Sequence, residues 1–284
     1  MKNFFVIANK GKAETLSFKK EIKEYLESKG AVCVYDDSPD CPRGKGYTNP
    51  ELVPEDTECV IVLGGDGTML KAANDLVDRV IPFLGINIGT LGYLATVEKA
   101  DAFSALDRML HDDYVIEQRM MINGTVKVDG AVVDEPRALN EIVMTGKGAM
   151  QIVYLDVYIN GLFMHRYQAD GVIVATPTGS TGYSLSAGGP VVNPTAQTIL
   201  LTPICPHSMH NRGVVFSSED TIKIVVSEGR YGESQEVIAM FDGSSGIPMK
   251  SGDSIVIRKS EKITKIVKLK EESFLETLHN KLEG

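Results

Sequence analysis

The sequence lacks the features that mark several specialised classes of protein. Its 284 residues include four cysteines (Cys33, Cys41, Cys59 and Cys205), with no Cys-x-x-Cys pair and no histidine at metal-ligand spacing. Neither a zinc site nor a disulfide framework is therefore expected, and the compartment is predicted to be reducing. No apolar run is long enough for a signal-peptide core or a membrane span, which predicts a cytoplasmic protein with no membrane partner.

Positive charge is also scarce. The chain has 29 Lys and Arg against 38 Asp and Glu, a formal net charge of −9, and no long basic run. Proteins bind a phosphate backbone through clustered Lys and Arg, so nucleic acid is not expected as a partner. An acidic chain can still bind an anionic nucleotide locally, through backbone N–H groups and helix N-termini. Glycine-rich loops are therefore the informative features.

What is present is the composition of a globular protein, 43% hydrophobic and 24% charged, with a length that predicts about two domains. Over residues 1–98, apolar strands alternate with amphipathic helices, which predicts an α/β domain with a parallel sheet. Over 99–271, short β-branched runs separated by turns such as Asp129-Gly130 predict a β-rich, β-sandwich-like domain. An apolar stripe over 272–284 predicts a C-terminal helix that returns to the first domain.

Apolar periodicity predicts where individual elements lie. In the first domain we expect strands at 4–8, 32–35, 59–63 and 81–86, and helices at 13–29 and 69–77. A further helix at 100–110 opens the second domain, because its apolar residues recur every three to four positions. The segment 36–54 is rich in proline, glycine and aspartate and is predicted to be an exposed loop.

The strongest chemical signal is Gly64-Gly65-Asp66-Gly67-Thr68, which follows an apolar strand and opens a helix. Glycines let several backbone N–H groups converge on an anion, and the helix N-terminus adds partial positive charge, so the segment suits phosphate. A carboxylate beside phosphate is repelled unless it accepts a proton or holds a metal ion, which makes Asp66 a candidate base. A plain turn with Asp66 as the helix N-cap explains the same residues. The segment is neither a Walker A loop nor a Gly-x-Gly-x-x-Gly fingerprint.

A second signal is the run Thr176–Pro190, which places hydroxyl groups and glycines between a strand and a short helix. Such a surface suits a ribose or a phosphate, although an N-capped turn whose hydroxyls bond to their own backbone is an equal alternative. Asn140-Glu141 opens one strand and Asp170-Gly171 precedes another. Their carboxylates and carboxamide suit ribose hydroxyls or an adenine amino group, as well as solvent.

Taken together, Gly64–Thr68, Gly89–Leu94, Asn140-Glu141 and Asp170–Pro190 occur in the order found in NAD kinases, which the chain resembles over nearly its whole length. The Thr176–Pro190 run is specific to that family, whereas Gly-Gly-Asp-Gly-Thr is shared with lipid kinases and, more distantly, phosphofructokinases. The resemblance implies Mg²⁺-dependent transfer of the ATP γ-phosphoryl group to the 2′-hydroxyl of the adenosine ribose of NAD, producing NADP. It also implies a homodimer or homotetramer.

The resemblance assigns roles to particular residues. Asp66 matches the family's proton acceptor, Asn140 and Glu141 match the pair that holds the adenosine ribose and base, and Asp170 matches the acid on the nicotinamide side. No side chain is expected to form a dedicated metal site. Gly64, Gly65 and Thr68 are expected at the ATP phosphates. The other residues expected to bind NAD are Gly67, Lys71, Tyr93, Leu94, Gln168, Thr181, Gly182, Tyr183, Ser186 and Cys205.

Alternative functions remain open from the sequence. A lipid kinase of the same superfamily is disfavoured by the polar run after Thr176, and a non-catalytic dinucleotide-binding regulator is disfavoured by Asp66, which a pure binder does not need. A Rossmann oxidoreductase lacks its glycine fingerprint. Three positions depart from the NAD kinase pattern: Gly182 and Cys205 stand where alanine is usual, and Ser244 stands where glutamine is common.

Overall fold

A computed structural model describes residues 1–9, 13–35, 48–89, 92–148, 151–207, 212–244, 246–269 and 278–279. The chain forms two compact units, Met1–Arg119 with Ile263–Gly284, and Met120–Lys262. Within the described residues, no helix has both the length and the apolar character needed to cross a membrane.

The first unit is a parallel sheet with helices. Its elements are β1 (Asn3–Ala8), α1 (Ala13–Ser28), β2 (Val32–Tyr35), β3 (Cys59–Gly64), α2 (Asp66–Asp75), β4 (Phe83–Asn87), β5 (Val97–Glu98) and α3 (Ala102–Leu110). Strand β3 is buried along its whole length, as the uninterrupted apolar sequence Cys-Val-Ile-Val-Leu predicts for a central parallel strand. It pairs in parallel with β1 and β4, and β2 extends the sheet beyond β1. The carboxyl ends of β1, β3 and β4 therefore share one edge, where α/β proteins bind ligands.

Two boundaries of this unit differ from the sequence predictions. Helix α2 begins at Asp66 rather than at residue 69, so the candidate phosphate loop includes the first turn of the helix. The unit extends to Arg119 rather than to residue 98, because Leu106 and Met109 of α3 pack into the same core as β1 and β3. The predicted helix over 272–284 lies outside the described residues, except for Leu278 and His279, which are helical.

The second unit is almost entirely β-structure, with one short helix. Its elements are β6 (Val115–Val128), β7 (Ala131–Asp134), β8 (Arg137–Ala138), β9 (Glu141–Gly146), β10 (Val153–Ile159), β11 (Leu162–Ala169), β12 (Gly171–Ala175), α4 (Tyr183–Ser186), β13 (Thr198–Ile204), β14 (Val214–Ser217), β15 (Ile222–Val226), β16 (Glu236–Phe241), β17 (Ile247–Lys250) and β18 (Ser254–Lys268). Strand β6 begins in the first unit and β18 ends there, so these two strands carry the chain between the units.

Two groups of antiparallel strands form the second unit. One sheet has the order β14-β13-β12-β9-β16-β17, and the other contains β11-β10-β15-β18 with β6 paired to β18, β7 and β8. Side chains from both groups, such as Val174 and Ile224, share one core, which confirms the β-sandwich-like prediction. The turns Asp129-Gly130 and Asn160-Gly161 have φ values of +50° and +83°, and +51° and +83°, as expected for tight hairpin turns.

Cysteine reactivity tests this fold. Cys33 and Cys59 are buried, and burial raises the pKa of each thiol to about 12, whereas Cys205 is exposed. Because the thiolate is the reactive form, iodoacetamide at pH 7.5 should alkylate Cys205 in the folded protein and reach Cys33 and Cys59 only after unfolding in urea. Peptide mass spectrometry gives the order, and labelling of Cys33 or Cys59 at the rate of Cys205 without urea would contradict the fold.

Candidate active site

Asp66 lies in the first turn of α2, but its side chain does not cap that helix. The N-cap residue is Gly65, and no side-chain hydrogen bond caps the helix. Instead, the Asp66 carboxylate accepts three backbone N–H groups: Oδ2 from Tyr93 at 2.8 Å, and Oδ1 from Leu94 at 3.0 Å and Ala95 at 3.1 Å. The interpretation of Asp66 as an N-cap is therefore wrong, because its oxygens are directed at the loop that follows β4.

The loop can approach Asp66 only because residue 92 is glycine. A Cβ atom at Gly92 would lie 1.9 Å from Asp66 Oδ1, well inside any permitted contact. A carboxylate has about four acceptor positions, and the three N–H groups occupy three of them. Two of these bonds fall on Oδ1 and one on Oδ2, which leaves an acceptor position on Oδ2 for a further hydrogen bond.

The other predicted phosphate-loop residues surround Asp66 in different ways. Thr68 is buried and packs its hydroxyl over Gly64, where a Cβ would lie 2.5 Å from Thr68 Oγ1. Positions 65 and 67 have open space where a Cβ would point, and Gly67 is exposed. The backbone on either side of Asp66 therefore has open space beside it, whereas Gly64 packs closely against the Thr68 side chain.

Three further predicted residues lie in the same unit. Lys71 is exposed on α2, Tyr93 is half-buried, and Leu94 is only 2% exposed. Burial, with the negative charge of Asp66, raises the pKa of the Tyr93 hydroxyl. The Leu94 side chain is therefore part of the core, and its contribution to the site is the N–H group that Asp66 accepts.

Arg119 is a residue of this site that the sequence analysis missed. Its side chain is only 4% exposed and forms an ion pair with Glu117. Burial lowers the pKa of Arg119, while the negative charges of Glu117 and Asp66 oppose that shift. An arginine stays ionised even so, which places a buried positive charge within electrostatic reach of Asp66. The available signal was an arginine at the start of the otherwise apolar run Arg119–Ile122 in β6.

Asn87 is a second residue that the sequence analysis missed. It ends β4, pairs with Gly64 across the sheet, and is 4% exposed. Its Nδ2 group is buried and has no hydrogen-bond partner among the residues that the structure describes. A cavity of about 400 Å³ is lined by Asn87 together with Gly89 and Lys99. A buried donor without a partner is costly, so this amide is suited to an acceptor on a bound ligand.

In the second unit, Asn140 and Glu141 stand at the start of β9. Asn140 Oδ1 and Glu141 Oε2 are both buried, and within the described chain neither atom has a hydrogen-bond partner. Burial raises the pKa of the Glu141 carboxyl to about 7, and the negative charge of Asp242 contributes to the rise. Two acceptor atoms on adjacent residues therefore lack donors. Hydroxyl or amino groups of a bound ligand could donate hydrogen bonds to both.

In the run from Thr176 to Pro190, several hydroxyl groups bond to the backbone of the protein itself. The hydroxyl of Thr176 donates to Leu139 O at 2.6 Å, and that of Ser180 donates to Pro177 O at 2.7 Å. The hydroxyl of Thr181 donates to the carbonyl three residues before it. These hydroxyls satisfy the protein's own backbone, as the alternative interpretation predicted.

The end of this run still borders the Asn140–Glu141 pair. A Cβ at Gly182 would lie 3.1 Å from Glu141 Oε2, so glycine in place of the usual alanine leaves room beside that carboxylate. Tyr183 is 44% exposed, and Ser186 is exposed as well. These side chains are available to a ligand bound at Asn140 and Glu141.

The remaining predicted residues lie at the other end of the same sheet. Glu141 pairs with Ala175, the last residue of β12, whereas Asp170 precedes its first residue. Cys205, with φ of +44°, follows β13, whose Ile204 carbonyl accepts the Asp170 N–H at 3.0 Å. Gln168 belongs to the same end, since its carbonyl accepts the N–H of His207. The five residues of β12 separate the two groups by roughly 16 Å.

Replacing Glu141 by glutamine should stabilise the protein at alkaline pH. Because the pKa of Glu141 is raised from 4.5 to about 7, the folded protein holds this proton more tightly than the unfolded chain does. Stability therefore falls as the pH rises from about 4.5 to about 7, and glutamine escapes that loss. We expect Glu141→Gln to gain up to about 3 kcal/mol at pH 8, seen as a higher urea midpoint, and nothing at pH 4.5.

Glu58 provides a control of opposite sign. The N–H groups of Lys2 and Asn3 lower the pKa of the Glu58 carboxyl, so Glu58→Gln should lose stability at pH 8. Equal urea midpoints for wild type and Glu141→Gln at pH 8 would contradict the burial of the Glu141 carboxylate.

Known proteins match this chain over nearly its whole length. Residues 4–114 match the ATP-NAD kinase N-terminal domain family, and residues 139–269 match the ATP-NAD kinase C-terminal domain family. The NAD kinase of Lachnospira eligens is 42% identical over 293 residues, which cover 99% of this chain and 100% of the relative.

Two solved structures are also similar to this chain. Yeast NADH kinase complexed with NADH superposes with a TM-score of 0.82 at 25% identity, over 100% of this chain and 88% of that one. An NAD kinase from Archaeoglobus fulgidus in complex with ATP superposes with a TM-score of 0.79 at 26% identity, over 100% of this chain and 99% of that one. The chain is thus an enzyme that belongs to the NAD kinase family.

Proposed function

We propose that this enzyme transfers the γ-phosphoryl group of ATP to the 2′-hydroxyl of the adenosine ribose of NAD, producing NADP. The observation that carries the proposal is the pair of buried, unpartnered acceptors, Asn140 Oδ1 and Glu141 Oε2. Ribose hydroxyls and the adenine amino group are donors that satisfy both atoms. The NADH and ATP complexes of the two superposed relatives support a dinucleotide acceptor and a triphosphate donor.

The proposed adenosine site lies in the second unit. Asn140 and Glu141 hold the ribose and base, Gly182 provides the space beside the carboxylate, and Thr181, Tyr183 and Ser186 border the ligand. At pH 8 the Glu141 carboxyl is mostly ionised and accepts hydrogen bonds, since its pKa is about 7. Binding of NAD should therefore strengthen as the pH rises through 7.

The proposed triphosphate site lies at the carboxyl edge of the parallel sheet. The backbone of half-buried Gly65 and exposed Gly67 opens α2, and Asn87 Nδ2 adds a donor beside Gly64. Among the described residues, no group of three or more His, Cys, Asp or Glu side chains could hold a metal ion. Mg²⁺ is commonly held through substrate phosphates and water, so we propose that it enters with ATP as part of the donor.

Asp66 is the proposed general base. As the bond forms between the ribose 2′-oxygen and the γ-phosphorus and the bond to ADP breaks, the hydroxyl proton passes to Asp66 Oδ2, which has an acceptor position left. Phosphoryl transfer has a loose transition state, so alignment and charge supply most of the catalysis. The three N–H groups that hold Asp66 provide that alignment. Gly67, Lys71 and Tyr93 remain predicted NAD contacts.

The direct test is NADP formation by the purified protein with NAD, ATP and Mg²⁺, detected with an NADP-specific dehydrogenase. We expect NADP to accumulate with a matching release of ADP. Binding of NAD without NADP formation from ATP, other triphosphates or polyphosphate would contradict the proposed donor chemistry. Absence of NAD binding would contradict the proposed acceptor.

Asp66→Asn should lower kcat by about 10²–10⁴, the usual contribution of a general base. The dissociation constant for NAD should change little, because the proposed adenosine site belongs to other residues. Asp56→Asn, which alters an exposed carboxylate in the same unit, is the matched control and should retain wild-type kcat. Turnover of Asp66→Asn at the wild-type rate would exclude Asp66 as the base.

We further propose a homo-oligomer in which Asp170, with Gln168 and Cys205, contacts the nicotinamide half of an NAD bound by a neighbouring copy. The separation of this group from Glu141 along β12 supports the proposal. So does β11, a strand at the edge of its sheet that exposes Leu162 at 76% and Phe163 at 58%.

Mixing two inactive variants tests the shared pocket. Asp66→Asn and Asp170→Asn, co-expressed, should regain roughly a quarter of wild-type activity, because a mixed dimer has one pocket with both native residues. Each variant alone should stay inactive. Mixtures without regained activity, or a monomer by light scattering, would contradict the shared pocket.

A further inference from the structure

The segment Leu139–Glu141 carries the two unpartnered acceptors, yet its own backbone is fully bonded. Six backbone polar groups belong to these three residues, and all six bond to only two other residues, Asp242 and Thr176. Neither residue is among the groups proposed to bind NAD or ATP. Two of the six bonds come from the backbone N–H groups of Thr176 and Asp242, and the other four are made by their side chains.

Asp242 bonds to the N–H side of the segment. Its Oδ2 accepts the N–H of Leu139 at 2.7 Å, and its Oδ1 accepts those of Asn140 at 2.8 Å and Glu141 at 3.0 Å. Its own N–H donates to the Glu141 carbonyl at 3.0 Å. Asp242 has φ of +47°, an uncommon conformation for a residue with a side chain, so the surrounding contacts must offset its cost.

Thr176 bonds to the carbonyl side of the same segment. Its hydroxyl donates to Leu139 O at 2.6 Å, and its N–H donates to Asn140 O at 2.8 Å. The residue is completely buried. Gly179, one turn further along, packs so closely that a Cβ there would lie 2.2 Å from Asn140 O. Hydrogen bonds to its N–H groups and to its carbonyl groups, with close packing, therefore fix the segment Leu139–Glu141.

Resting on the proposed function, we propose that Asp242 and Thr176 are positioning residues: they fix the backbone of Leu139–Glu141 so that Asn140 Oδ1 and Glu141 Oε2 point at the adenosine ribose and base of NAD. Neither touches the substrate. Asp242 has a second effect, because its negative charge, after burial, contributes to the raised pKa of Glu141. A positioning role for Asp242 therefore has an electrostatic signature that a purely structural residue lacks.

The test compares Asp242→Ala, Asp242→Asn and Thr176→Val with wild type. Binding of NAD is measured by calorimetry from pH 6 to pH 8.5 without ATP, and KM and kcat are measured with both substrates. Asp242→Ala and Thr176→Val should raise the Kd and KM for NAD about tenfold or more, since small displacements of positioned groups cost that much. The KM for ATP should stay at the wild-type value.

Two variants distinguish a positioning role in NAD binding from a role in protein stability alone. Asp242→Asn removes the charge beside Glu141, so the midpoint of NAD binding against pH should move below that of wild type. Thr176→Ser, which restores the hydroxyl lost in Thr176→Val, should return the Kd to near the wild-type value.

Asp253 is the matched control. It lies in the same unit and is 2% exposed. Its carboxylate accepts the backbone N–H groups of Asp129 at 2.9 Å and Lys250 at 2.8 Å, neither of which belongs to Leu139–Glu141. Asp253→Asn should lower the urea midpoint and leave both the Kd for NAD and its pH midpoint unchanged.

Three outcomes would overturn the proposal. Folded Asp242→Ala and Thr176→Val with wild-type Kd for NAD would refute positioning while leaving NADP formation by the wild type intact. An unshifted pH midpoint in Asp242→Asn, or failure of Thr176→Ser to recover binding, would reduce the two residues to structural roles. A wild-type protein that neither binds NAD nor forms NADP would remove the proposed function, and this inference with it.

Discussion

The interaction on which both proposed binding sites depend is a carboxylate that accepts three successive backbone N–H groups. Asp66 does this for Tyr93–Ala95, and Asp242 does it for Leu139–Glu141. Successive N–H groups converge on one point only where the chain turns sharply, and such groups are costly when buried without acceptors. An anionic side chain supplies strong acceptors in a small volume. Each carboxylate thus stabilises an irregular backbone where a regular strand could not present side chains to a ligand.

Some buried polar groups of the two proposed binding sites lower the stability of the ligand-free protein. Asn87 Nδ2, Asn140 Oδ1 and Glu141 Oε2 are buried without partners among the described residues, and the Glu141 carboxyl is held next to another negative charge. A chain selected for stability alone would pair or expose these groups. Their concentration around two fixed loops is typical of binding sites, where the ligand supplies the missing partners. The hydroxyls of Thr176 and Ser180 show the contrast, since they bond within the protein and contribute to the fold.

Local sequence was enough to predict the parallel sheet, the hairpin turns and the position of the Gly64–Thr68 loop, because each depends on neighbouring residues. It could not predict that Asp66 bonds to residues 93–95 rather than to its own helix, or that Asp242 bonds to residues about a hundred positions earlier. Strands β11 and β13 carry only a weak apolar pattern, because a histidine and an arginine interrupt the first and a proline interrupts the second. Asp170 and Thr176 are six positions apart in sequence, yet the extended β12 places them at opposite ends of a sheet.

For the proposed mechanism, both loops must be fixed before any substrate binds. Amide hydrogen exchange, followed by NMR in the ligand-free protein, measures this directly at Tyr93, Leu94, Ala95, Leu139, Asn140 and Glu141. We expect these six amides to exchange as slowly as those of the neighbouring strands β3 and β12, and to speed up selectively in Asp66→Asn for the first three and in Asp242→Asn for the last three. Fast exchange in the free protein, with protection only after NAD or ATP is added, would contradict the account.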